Sequence, residues 1–104
     1  MKRIGEKMWP YLQKVLDRDN IHYLYDPNTG EMNANVSARR MKEALEDAFC
    51  EKQSQEYYGG NVPVYSLRTL KNRKKLKRLQ EFYGRRSYVI LKKDERRYRQ
   101  EFGL

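Results

Sequence analysis

The chain has 104 residues, of which 23 are Lys or Arg and 14 are Asp or Glu, giving a net charge of +9. One cysteine, Cys50, and one histidine, His22, exclude an intramolecular disulfide, a cysteine-type zinc site and every motif that needs two histidines. No run approaches the roughly 18 apolar residues of a membrane span, and no apolar stretch follows Lys2 and Arg3 as in a secretory signal, so a soluble cytoplasmic domain is expected.

The charge is unevenly placed. Positions 1–67 hold 9 basic and 10 acidic residues, whereas positions 68–104 hold 14 basic and 4 acidic. Leu, Ile, Val and Phe together number 21, close to the ~20% level below which highly charged chains tend to stay unfolded. Nine tyrosines and Trp9 offset this, because each buried aromatic ring removes roughly 150–250 Å² from water. The expectation is one domain over 1–104 with a thin core. It comprises a near-neutral helix-hairpin-helix scaffold (1–53), a loop (54–61) and a basic helix-strand-tail part (62–104). A core this thin leaves room for a homodimer.

Ile4, Met8, Leu12 and Val15 recur at helical spacing, but Pro10 lacks an amide donor, so the helix is placed from Pro10 to Arg18. Residues 21–25 alternate, with Ile21, Tyr23 and Tyr25 on one face and His22 and Leu24 on the other. Asp26-Pro27-Asn28-Thr29-Gly30 then reads as a hairpin turn, returning along Glu31 to Val36. Ser37 caps a second helix to about Lys52, with Ala38, Met41, Ala44, Leu45, Ala48 and Phe49 as its apolar stripe. Cys50 falls off this stripe and reads as an incidental thiol.

Val62 to Tyr65 is extended by Pro63. Ser66 caps a helix to Tyr83 that Gly84 stops. Leu76, Leu79 and Tyr83 share a face, but Leu67 and Leu70 point away from it. Either the helix breaks near Asn72 or those two leucines meet a second surface. Ser87 to Leu91 is the best strand pattern, and Asp94 to Phe102 reads as a short basic helix. The class is α+β, with three to four helices, a short hairpin and a C-terminal strand. This order is compatible with a winged-helix arrangement.

Between positions 68 and 78 stand Arg68, Lys71, Arg73, Lys74, Lys75, Lys77 and Arg78, with no acid until Glu81. Like charges one helical turn apart repel by ~0.2–0.5 kcal/mol per pair, so such a run calls for an external anion, which a phosphate backbone supplies through counterion release. A second cluster, Arg85, Arg86, Lys92, Lys93, Arg96, Arg97 and Arg99, surrounds the last strand. Tyr83, Tyr88 and Tyr98 lie among these and are candidates for base stacking. Arg39 and Arg40 open the 37–52 helix and are secondary contacts, since Glu43, Glu46, Asp47 and Glu51 on that helix would repel phosphate.

The expected function is nucleic-acid binding, with double-stranded DNA favoured and RNA close behind, no cofactor and no metal. Regulation of transcription or replication is the first process to consider, and the size and charge would suit a phage or plasmid accessory protein. Two alternatives rest on the same cations. One is a metal-independent ribonuclease toxin using Tyr83, Arg85, Arg86, Lys92, Arg97 and Tyr98. The other is a module whose basic face covers an acidic protein partner.

Overall fold

The computed structural model describes residues 2–91. The expected helix over 94–102 lies outside them. The described chain is α+β, with four helices and two small sheets, in the order β1 (Lys2–Arg3), α1 (Trp9–Arg18), β2 (Tyr23–Tyr25), β3 (Glu31–Ala34), α2 (Ala38–Tyr58), β4 (Val64–Tyr65), α3 (Leu67–Lys71), α4 (Arg73–Tyr83) and β5 (Val89–Ile90). It divides into two compact units, whose described residues are 2–49 and 50–91.

In the first unit, β3 is the middle strand of an antiparallel sheet ordered β1-β3-β2. The hairpin follows from the turn chemistry. The Asp26 carboxylate accepts the Asn28 amide at 2.9 Å, and the Gly30 amide donates to the Asp26 carbonyl at 2.8 Å. Gly30 sits at φ +74°, and its carbonyl accepts the Ile4 amide at 2.7 Å, drawing β1 alongside β3. Strand β1 leaves no mark in the sequence pattern, because a two-residue strand shows no alternation. Tyr25 stacks on Trp9 with centroids 3.8 Å apart, and Tyr23 meets the same indole edge-on at 5.3 Å. Leu24, on the opposite side of the strand, is exposed.

Helix α1 begins one residue before Pro10, where Gly5 accepts the Met8 and Trp9 amides. It buries Leu12, Val15 and Leu16. Ser37 accepts the Arg40 amide at 3.2 Å as the cap of α2, which buries Met41, Ala44, Leu45, Ala48 and Phe49. Ala38, expected on this stripe, is exposed, since the buried face starts at Met41. Burying a leucine-sized side chain is worth roughly 1.5–3 kcal/mol, so these two helices supply most of this unit's apolar gain. Between them lies an ion network. Arg18 reaches Asp47 at 2.8 Å and Asp19 at 3.0 Å, while Arg40 reaches Asp19 at 2.6 Å and Glu43 at 3.4 Å.

In the second unit, α2 runs on to Tyr58, so residues 54–58 are helical rather than loop. Lys52 pairs with Glu56 one turn on at 2.9 Å, and Gln55 donates to Glu51 at 3.2 Å, which holds the polar last turns. Gly59 and Gly60, at φ +60° and +77°, then reverse the chain. Buried Ser54 closes the reversal, accepting the Gly60 amide at 3.0 Å and donating its hydroxyl to the Val62 carbonyl at 2.6 Å. Strands β4 and β5 are parallel, pairing Val64 with Val89 and Tyr65 with Ile90. The likeness to a winged helix therefore goes no further than element order, because β5 lies parallel to β4 rather than forming one arm of a hairpin.

Candidate nucleic-acid interface

The crossover from β4 to β5 carries the cationic run, and two caps shape it. The Ser66 hydroxyl oxygen accepts the Thr69 amide at 3.1 Å and starts α3, with both residues buried. At Asn72 the backbone turns extended (φ −108°, ψ 98°), and its side-chain oxygen accepts the Lys75 amide at 3.1 Å. The expected 66–83 helix is thus two helices meeting at one capping residue. This is the break that Leu67 and Leu70 signalled: Leu70 becomes half-buried and Leu67 stays exposed. The α4 helix ends at Gly84, whose φ is +89° and whose amide donates to Gln80 at 2.8 Å.

The buried face of α4 centres on Leu79, with Lys75 one turn before it at 8% exposure and with Leu76 and Tyr83 half-buried at its margin. Lys75 therefore leaves the outward cationic arc on which the sequence placed it. A long aliphatic stem makes such inward packing feasible for a lysine. The outward arc is formed by Arg73, Lys74, Lys77, Arg78 and Glu81, all exposed. Arg68 and Lys71 of α3 are exposed as well. None of Lys71, Arg73, Lys74 and Lys77 forms an ion pair with a described carboxylate. Arg73 and Lys77, and Lys74 and Arg78, stand one turn apart as like-charged pairs.

The second cluster is partly committed to structure. The Arg86 guanidinium donates to the Tyr83 carbonyl and to the Asn61 carbonyl, each at 3.0 Å, tying the end of α4 to the loop after α2. The Tyr83 hydroxyl donates to Glu51 at 3.1 Å. Two of the residues considered for phosphate cleavage, Tyr83 and Arg86, are thus engaged in holding the unit together. Arg85 is exposed. Lys92, Lys93, Arg96, Arg97, Tyr98 and Arg99 lie outside the described residues.

On the first unit, Arg40 belongs to the ion network with Asp19 and Glu43, whereas Arg39 is exposed. Asp47 and Glu51, counted as phosphate-repelling, are buried and bound by Arg18 and Tyr83 respectively. Asp17 accepts from the Tyr23 hydroxyl at 3.1 Å, and Asp26 serves the hairpin turn. His22 is exposed, and Cys50 is buried on α2.

Phe82 is an exposed aromatic of α4 that the sequence did not single out. An apolar residue inside a helix reads as core, yet Phe82 is 56% exposed. It meets the Tyr83 ring edge-on, with centroids 4.9 Å apart. Tyr88 is 45% exposed and rests on buried Tyr65, with centroids 5.5 Å apart. Among the described residues, no helix is long and apolar enough to cross a membrane. Comparison of the chain with family models, curated proteins and solved structures finds no match.

Proposed function

We propose that this is a small nucleic-acid-binding protein that holds DNA through the phosphate contacts of α3 and α4. The supporting observation is the outward arc of α4. Arg73, Lys74 and Lys77 are exposed on successive turns, Lys71 precedes them, and none is neutralised by a described carboxylate. A fold keeps mutually repelling cations adjacent at a cost of ~0.2–0.5 kcal/mol per pair, and that cost is recovered when a polyanion binds. Lysine and arginine suit the task differently. Lysine acts as a mobile point charge, whereas the Arg73 fork matches two phosphate oxygens. A role in controlling transcription or replication is the process this binding would serve.

A salt titration tests the reading. With ~5 phosphates engaged, log K against log salt should fall with a slope of about −4 to −5 on duplex DNA, or about −3.5 on a single strand. A flat dependence, or no binding at low salt, would overturn it.

A further inference from the structure

We infer that the DNA this interface selects is single-stranded, with Phe82 and Tyr88 stacking on unpaired bases while the α4 cations hold the phosphates. The inference rests on the phosphate-binding reading above and adds the strand state. Lys74, Arg78 and Phe82 occupy successive turns along one row of α4, so an exposed ring continues a line of exposed cations. Such a row matches a polynucleotide strand, which presents phosphates and base faces in alternation. In a duplex the base faces are covered by their neighbours, and a ring reaches them only by prying a step apart.

One feature separates these two rings from ordinary surface aromatics. Each is backed by a second ring that is itself held. Phe82 lies against Tyr83, whose hydroxyl is bound to Glu51 at 3.1 Å. Tyr88 lies against Tyr65, which is 3% exposed. An exposed ring held in one orientation loses little freedom when a base stacks on it, which is what a preformed stacking surface needs. Tyr83, one of the three stacking candidates suggested by the sequence, serves in this arrangement as the support of Phe82.

The test measures binding of the full chain, by fluorescence anisotropy, to labelled 20-nucleotide DNA as a single strand and as a duplex, and to the RNA single strand of the same sequence. Four proteins are compared: wild type, Phe82→Leu, Tyr88→Leu and the Arg73→Gln/Lys77→Gln double variant. The wild type should bind the DNA single strand at least ~10-fold more tightly than the duplex. Each leucine variant should lose roughly 5- to 150-fold on the single strand, the range one base–aromatic stack is worth, and change less than about 2-fold on the duplex. The double glutamine variant should weaken both. Tighter binding of the duplex, unchanged leucine variants, or tighter binding of RNA than of DNA would overturn the inference. Steeply salt-dependent binding of both DNA forms, with single-strand binding that ignores Phe82→Leu and Tyr88→Leu, overturns this inference alone. Absence of binding to any of the three overturns the phosphate reading with it. Circular-dichroism melts of the leucine variants confirm that they fold, as their exposure leads one to expect.

Discussion

Asn72 accepts the Lys75 amide on its side-chain oxygen at 3.1 Å, and so starts the cationic helix one residue after α3 has ended. This bond satisfies one of the free amides in the first turn of α4. Replacing Asn72 with Ala removes the cap and should cost ~1 kcal/mol, within a span of about 0.5–2. Asn72→Asp keeps an acceptor and should stay close to wild type. Urea unfolding of the three proteins checks this.

The outward arc should be dispensable for folding. Arg73, Lys74 and Lys77 are exposed, and none lies on the Leu79 face. Replacing all three with Glu should abolish a mobility shift on DNA. The melting temperature should hold, since surface changes away from structural features usually fall within about ±0.5 kcal/mol. The neutral Arg73→Gln/Lys77→Gln pair should flatten the salt slope on duplex DNA by about 2.

The ion network of the first unit makes the opposite prediction. Asp19 and Asp47 are almost wholly buried, and the Arg18 side chain is only 5% exposed. Arg18→Met removes the cation that Asp47 binds at 2.8 Å and one of the two that bind Asp19, leaving Arg40 on Asp19, and breaking a buried pair in this way costs ~3–5 kcal/mol. That is a large part of the ~5–15 kcal/mol usual for a folded domain. A thermal melt should show a large drop or no folded baseline.

Gly30 and Gly60 separate two kinds of glycine requirement. Both have positive φ, +74° and +77°. A Cβ on Gly60 would meet the movable Gln55 side chain at 2.9 Å, whereas one on Gly30 would meet the Ile4 backbone carbonyl at 2.9 Å. Left-handed backbone alone costs roughly 1–2 kcal/mol for an alanine. Gly60→Ala should therefore lose about that much, and Gly30→Ala should lose more, because β1 must shift to admit it. Chemical denaturation of the two variants orders them.

Local chemistry made the hairpin, the Ser37 and Ser66 caps and the Gly84 stop legible in the sequence. Each is decided by residues within four positions of one another. The overrun of α2 to Tyr58 was hidden because Gln53-Ser54-Gln55-Glu56 is polar throughout, and its support comes from side-chain pairs rather than an apolar stripe. The withdrawal of Arg40 was hidden because its partner, Asp19, is 21 positions away and on another element. The inward turn of Lys75 was hidden because a lysine within a run of cations reads as outward, whereas its place four residues before Leu79 puts it on the same side of α4 as that buried leucine.

The stacking of Trp9 on Tyr25 has a practical consequence. The sole tryptophan of the sequence sits in the first unit, and its emission reports the hairpin and α1. The sole cysteine, Cys50, is buried in the second unit, so its thiol should resist DTNB until that unit opens. The protein thus carries one native reporter in each half. Following indole emission and thiol labelling along a single denaturant series would show whether the scaffold and the cationic unit melt as one body or in sequence.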